Sequence, residues 1–220
     1  MNPDTAVASE SNAPVGRLKA NRLFAACWDW LVSHEGKAAR EMRAEIVGTA
    51  AGRVLEIGCG TGASFPYYSA DAHVVATDPD SHMLKRAQRR AEELGLSSIE
   101  LRQAPAEQLP FDDASFDHVV SCWVLCHVDD QARALAEVRR LLRAGGTFRF
   151  MDHVRSDSGP GGALQSLVDP LWSRLLGAGC HVNRRTQQAI EEAGFKIEWL
   201  KRARLTPPTT PGIYGVARVA

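Results

Sequence analysis

Arg53-Val-Leu-Glu-Ile-Gly-Cys-Gly-Thr-Gly62 is the stretch on which the fold turns. Arg53 to Ile57 has the length and apolar content of a buried strand, and it stops at three glycines spaced by single residues. Ala63 to Ser69 is then free to begin a helix, so the segment reads as strand, glycine loop, helix. Working outward, the rhythm repeats: strands at 73–77, 99–103, 116–122 and 146–151 are interleaved with helices at 81–94 and 130–142. Parallel strands need crossover helices, so this alternation predicts an α/β, Rossmann-like, doubly wound sheet with helices on both faces.

The two ends of the chain differ from this middle. After residue 155 come two predicted helices, 163–176 and 186–193, then strands at 195–205 and 213–219. A short turn containing Pro207, Pro208 and Pro211 separates these strands, so they should pair as an antiparallel hairpin. Before residue 50, apolar residues recur at helical spacing (Leu23, Cys27, Leu31; Phe24, Trp28), which predicts one or two amphipathic helices. Residues 1–20 are polar and rich in Ser, Asn, Pro and Ala, and read as a disordered tail. The expected organisation is one domain over 21–220: a helical lid at 21–47, a ligand-binding core at 50–155, and an acceptor-side insert with the hairpin at 156–220. The lid is expected to be removable without unfolding the rest.

The 220 residues carry 26 basic and 26 acidic side chains. That balance, without a basic run, argues against a nucleic-acid partner. No apolar stretch is long enough for a signal peptide or a membrane anchor. Five cysteines (Cys27, Cys59, Cys122, Cys126, Cys180) form no disulfide framework, which implies a reducing, cytoplasmic setting. Monomer and homodimer remain equally open.

In open α/β sheets, ligands settle beyond the carboxyl ends of the strands. Here that place carries G-x-G-x-G, with Ala63 where a dinucleotide fingerprint would continue toward its third glycine. Glu56, two residues before Gly58, suits an ammonium group better than a phosphate. Asp78, at the end of the next strand, can accept bonds from ribose hydroxyls or cap the following helix. A nucleoside joined to a cationic amino acid matches S-adenosyl-L-methionine.

Val54-Leu-Glu-Ile-Gly-Cys-Gly-Thr-Gly62, Asp78, Leu109-Pro-Phe111, Phe116-Asp117 and Leu142-Arg-Ala-Gly-Gly146 together resemble the class I S-adenosylmethionine-dependent methyltransferases. The resemblance implies a seven-stranded sheet. It also implies cofactor contacts from Glu56, Gly58, Cys59, Gly60, Gly62, Asp78, Pro79, Ala106, Glu107 and Ser121. Pro105 stands where many relatives carry an acid that bonds the adenine amino group, so Glu107 would have to substitute. A narrower likeness rests on Ser121-Cys-Trp-Val-Leu-Cys126, Phe150-Met-Asp-His153, Asp169-Pro-Leu-Trp172, Gly179-Cys-His181, Arg184, Ala193-Gly-Phe195 and Ile213-Tyr-Gly215. These residues are similar to the methyltransferase-like family that includes alkyl-thiol methyltransferases, which implies a small thiol acceptor. Nitrogen or oxygen acceptors, a phospholipid head group, and a non-catalytic cofactor-binding module are the alternatives.

Methyl transfer needs alignment and exclusion of water more than covalent machinery. His153 is the preferred general base, with Asp152 and His127 beside it, because imidazole titrates near neutral pH. Trp28, Cys122, Trp123, Cys126, Asp169, Trp172, Cys180, His181, Arg184 and Tyr214 are the candidate acceptor contacts. Cys126 reads more readily as core, and Arg184 as a partner for Asp169. Phe24, Trp28 and Trp30 either cover the cofactor or simply pack the first helix. No metal is expected, because no single element carries ligands at metal-binding spacing.

Overall fold

The computed structural model describes residues 22–176, 179–205 and 211–220. The N-terminal tail, Pro207, Pro208 and the side chain of Phe24 lie outside the described residues. In chain order the elements are α1 (Arg22–Ser33), α2 (Lys37–Val47), β1 (Gly52–Ile57), β2 (Ala72–Asp78), α3 (Ser81–Glu93), β3 (Ile99–Gln103) and β4 (Phe116–Cys122). They continue with α4 (Gln131–Leu141), β5 (Leu142–His153), α5 (Gly159–Leu171), α6 (Thr186–Glu192), β6 (Phe195–Ala203) and β7 (Gly212–Val219).

The seven strands lie in the order β3-β2-β1-β4-β5-β7-β6. The first five are parallel, while β7 runs antiparallel to both β5 and β6. The expected Rossmann-like sheet and hairpin are therefore both present. Strand order reverses between β1 and β4, which opens the crevice beyond their carboxyl ends.

Alternation along the strands sorts side chains to two cores. Leu55, Val119, Phe148 and Phe150 face α4 and α6. Val54, Val74, Val120 and Met151 face α2 and α3. Glu56 shares the parity of Val54, so its carboxylate is carried toward the α2 side.

Three local expectations change. The helix predicted after the glycine loop is a single 3-10 turn, Phe65–Tyr67, with Pro66 inside it; a proline lacks the N–H that a longer helix would use. β5 begins at Leu142, four residues early, because Leu142 pairs with Phe116 across a bulge. α5 begins at Gly159, where the Ser158 side chain caps it and Pro160 fits the first turn. α5 ends beyond Pro170 in a π turn, Trp172–Leu176.

The N-terminal segment divides in two. α2 belongs to the core: Met42, Ile46 and Val47 are buried. Arg149 of β5 also donates to the carbonyl of Ile46 (3.0 Å) and to the hydroxyl of Thr49 (2.7 Å). Removing residues 1–47 would take from that face the packing that Met42, Ile46 and Val47 supply. Only α1 lies outside the core layers. It is tied to α3 by Asp29, which accepts from Arg86 (2.8 Å) and Arg90 (3.0 Å).

Candidate functional site

The glycine loop turns with positive φ at Gly58 (60°), Gly60 (56°) and Gly62 (81°), a region that L side chains enter only with strain. The three glycines serve different neighbours. A Cβ on Gly58 would lie 2.6 Å from Val124, and one on Gly62 would lie 2.5 Å from the Phe65 ring. These two are demanded by the protein's own packing. A Cβ on Gly60 would meet the Trp28 indole nitrogen at 3.4 Å. α1 thus lies across the loop with Trp28 above Gly60.

Asp78 holds this geometry. Its carboxylate accepts from the backbone N–H of Gly60 and of Asp80, each at 2.9 Å. The helix-capping role considered for it falls instead to Asp80, which accepts from His82 N–H at 2.7 Å. Burial raises Asp78 to about 6, against the opposing pull of those two amides.

Glu56 is 1% exposed. Burial raises its pKa to about 7, only partly offset by Ser64, Arg43 and Tyr68. The Tyr68 hydroxyl donates to it at 3.0 Å. Arg43 is buried beside it, donating to the hydroxyl of Ser64 (3.0 Å) and pairing with Glu35 (2.9 Å). Sequence reasoning missed Arg43, Ser64 and Tyr68: on a helix rich in charge, nothing marks Arg43 as the cation that turns inward.

Two hydroxyls near the crevice, those of Thr61 and Ser121, are buried and have no hydrogen-bond partner among the described residues. Burying a polar group unsatisfied costs about 1–3 kcal/mol. A buried carboxylate balanced near neutral pH, a second carboxylate at the next strand end, and two waiting hydroxyls fit a polar ligand with a cationic end. Cys59 is buried, and its N–H is fixed on the Thr77 carbonyl at 2.8 Å. Ala106 is buried, and the Pro79 carbonyl accepts from Gln103 at 2.9 Å. Glu107 is engaged elsewhere, accepting from the N–H groups of Asp129 (3.0 Å) and Asp130 (3.4 Å).

Across the crevice, a second cluster forms at the ends of β4 and β5. Trp123 has φ of 62°, anchors its N–H on the Met151 carbonyl (2.8 Å), and stacks its ring on His153 with centroids 4.4 Å apart. His153 Nδ1 lies 3.3 Å from Cys180 Sγ and 3.6 Å from Cys126 Sγ. His127 Nδ1 lies 3.2 Å from Cys126 Sγ. Asp152, fully buried, accepts from the N–H of Cys126 and of His153 through Oδ1, each at 3.2 Å. Its Oδ2 has no partner among the described residues. Burial raises Asp152 to about 7 and drives the Cys126 thiol upward. Cys180 moves the other way, held near 4 by its bonds to Cys126 and His153, with His127 adding to the effect. Burial lowers the pKa of His127. The ring of His127 meets Trp28 edge to face at 6.0 Å, which links this cluster to the cover over Gly60.

The C-terminal insert closes the far side. Asp169 accepts from Val182 N–H (2.8 Å) and meets His181 Nδ1 (2.9 Å). Trp172 packs on Cys126, Cys180 and Val182. The expected Arg184–Asp169 pair is not formed, because Arg184 donates to the carbonyl of Val128 instead. Two further expected acceptor contacts lie on the α2 side of the sheet, in the layer against which Trp123 also packs. Cys122 is buried in the α2-side core, where burial raises its pKa to about 12. Tyr214 packs on that same face, edge to face with Trp199 at 6.0 Å. Strand parity explains both, since Cys122 follows Val120, and Tyr214 pairs with Met151.

Comparison with known proteins agrees with this geometry. Residues 55–150 match a family model described as a methyltransferase domain. The human thiol S-methyltransferase TMT1A is 36% identical over 170 residues, which cover 74% of this chain and 69% of that protein. A phosphatidylethanolamine N-methyltransferase of Cereibacter sphaeroides is 37% identical over 144 residues, 65% of this chain and 71% of that one. Among solved structures, a SAM-dependent methyltransferase from Aquifex aeolicus superimposes with a TM-score of 0.63 at 16% identity, covering 92% of this chain and all of its own.

Proposed function

Because the chain belongs to the class I S-adenosylmethionine-dependent methyltransferases, enzymes whose cofactor is S-adenosyl-L-methionine, we propose that its acceptor is a small-molecule thiol. The observation that carries this reading is the 36% identity with a thiol S-methyltransferase across about three quarters of the chain. The cluster around Cys126 and His153 supports it with two imidazoles and aromatic walls at the strand ends where an acceptor would enter.

When bound, the cofactor supplies an electrophilic sulfonium methyl group. Glu56 would hold its ammonium group and would be ionised in doing so. Asp78 would accept from the ribose hydroxyls beside its two amide partners, and Thr61 and Ser121 would be free to bond the ligand. Gly58, Cys59, Gly60, Gly62, Pro79 and Ala106 shape the wall. Glu107 takes up adenine contacts only by giving up its hold on the backbone of Asp129 and Asp130. Trp28 excludes water above Gly60. A thiol must lose its proton to attack. His153 and His127, next to Asp152, are the groups proposed to accept it, with Trp123, Cys126, Asp169, Trp172, Cys180 and His181 as the acceptor surface.

The test is product formation from labelled cofactor against a panel of alkyl thiols, amines and phenols. Thioether and adenosylhomocysteine in equal amounts are expected from thiols; methylation confined to amines or phenols would sink the reading. A second reading, N-methylation of a phospholipid head group, is favoured by the Cereibacter relative. Leu164, Leu167 and Leu171 also stand 61%, 78% and 64% exposed along one side of α5, a face suited to a lipid surface. Phosphatidylethanolamine vesicles in the same assay separate the two. Among the described residues no helix is long and apolar enough to cross a membrane.

A further inference from the structure

The geometry points to a zinc ion held by Cys126, His153 and Cys180, with an open fourth position that takes the acceptor thiol as a thiolate. The identity of the ligand rests on the proposed thiol reading; the ion rests on side-chain positions alone.

One ligand atom from each residue, Sγ of the two cysteines and a ring nitrogen of the histidine, lies within 4.8 Å of the other two. Around a tetrahedral zinc, with bonds of about 2.3 Å to sulfur and about 2.0 Å to nitrogen, sulfur and nitrogen ligands stand roughly 3.5 Å apart. The His153 Nδ1 separations of 3.3 Å and 3.6 Å bracket that value. Both histidine–sulfur separations therefore already match those of a bound ion to within a few tenths of an ångström.

Its surroundings are those of a supported site. Cys126 and Cys180 are 0% and 3% exposed. Trp123 fixes the plane of the His153 ring by stacking. Asp152 binds the backbone N–H of two of the ligands and keeps one buried oxygen without a partner beside them. Metal sites are commonly oriented by such a neighbouring carboxylate. Two thiolates cancel the ion's charge, and a mixed thiolate and imidazole set is the donor chemistry that zinc accepts.

Three protein ligands rather than four leave a vacant coordination position, as in catalytic zinc centres. His127 touches Cys126 but is not one of the three mutually close ligands; its ring faces Trp28, which covers the cofactor loop. The open position is assigned to the side of His127 and Trp28, where the acceptor would enter. A thiol that coordinates there loses its proton outright. The proton passes to His127 or to solvent, and the sulfur keeps the lone pair that methylation consumes. His153 then acts as a ligand rather than as a base.

The test uses the full chain, purified under reducing conditions, stripped with a chelator and titrated with cobalt(II) as a visible stand-in for zinc. One equivalent should bind with a thiolate-to-cobalt charge-transfer band and tetrahedral ligand-field bands. Cys180→Ser and Cys126→Ser should each weaken the band and lower affinity at least tenfold, while adenosylhomocysteine binding by calorimetry stays unchanged to report an intact fold. Adding an alkyl thiol should shift the ligand-field bands. A chelator-treated enzyme that binds no cobalt yet methylates thiols at full rate would overturn the site and leave the thiol reading intact. A cobalt spectrum that no thiol perturbs would overturn the acceptor role.

Discussion

The two walls of the crevice are built in different ways. The glycine-loop wall is nearly contiguous in the chain: β1, its loop and the end of β2 supply Glu56, the glycines and Asp78. The opposite wall is assembled from β4, β5 and the segment around residue 180, and it consists of side chains meeting side chains. A backbone cradle needs a fixed local motif and can be read from sequence. A side-chain cluster needs only the right neighbours after folding, so its acceptor chemistry leaves no local spacing to read.

The sharpest way to break this comparison is at the loop itself. Gly62→Ala combines a φ of +81° with a Cβ placed 2.5 Å from the Phe65 ring. A left-handed conformation costs about 1–2 kcal/mol and overpacking about 1–3 kcal/mol more. Gly95, with φ of +66° and open space around it, provides the control. Urea denaturation should show Gly62→Ala losing roughly 3 kcal/mol and Gly95→Ala about 1 kcal/mol. Equal losses would mean that backbone conformation alone, without packing, requires glycine in the loop.

Glu56→Gln comes next. Removing a charged partner from a buried ammonium should weaken adenosylhomocysteine binding by about 1.5–3 kcal/mol. The stability sign is opposite. A carboxyl group raised from its ordinary 4.5 to about 7 stabilises the free protein while protonated, and that contribution disappears as pH rises through about 7. Glutamine does not titrate, so Glu56→Gln should match wild type near pH 5 and exceed it in stability near pH 8. Cofactor-product affinity of the wild type should rise from about pH 5.5 to pH 7, by about tenfold per unit above pH 6, and in the variant keep only the dependence below about pH 6 that Asp78 supplies. A wild-type affinity without pH dependence would remove the ammonium contact.

The contrast also explains what was legible in advance. Strand and helix alternation was enough for the sheet, because parallel topology leaves few alternatives, and parity along β1 already faced Glu56 inward. The 3-10 turn at Phe65 was missed because helix-compatible residues were weighed without the cost of Pro66. Cys122 and Tyr214 take the α2 side through strand parity, which nearness to a strand end does not show. Arg43 and the convergence of Cys126 with Cys180 depend on contacts between residues far apart in the chain, which composition and spacing do not encode.

The smallest expected effect on stability, and the one that best isolates the role of α1, belongs to Asp29. Its two ion pairs to α3 are partly exposed, so each contributes at most about 1 kcal/mol, and Asp29→Asn should lower stability by about that much. Nothing in the sheet changes, and α2, which carries the structural packing of the N-terminal segment, is untouched. What should change is residence: with α1 loosened, Trp28 covers Gly60 less of the time, and adenosylhomocysteine should dissociate several-fold faster in stopped-flow fluorescence while its association rate stays nearly constant. Trp28→Ala should reproduce the faster release by calorimetric displacement. If both variants release the product at the wild-type rate, α1 is a packing element like α2, and the two walls of the crevice stand open to solvent.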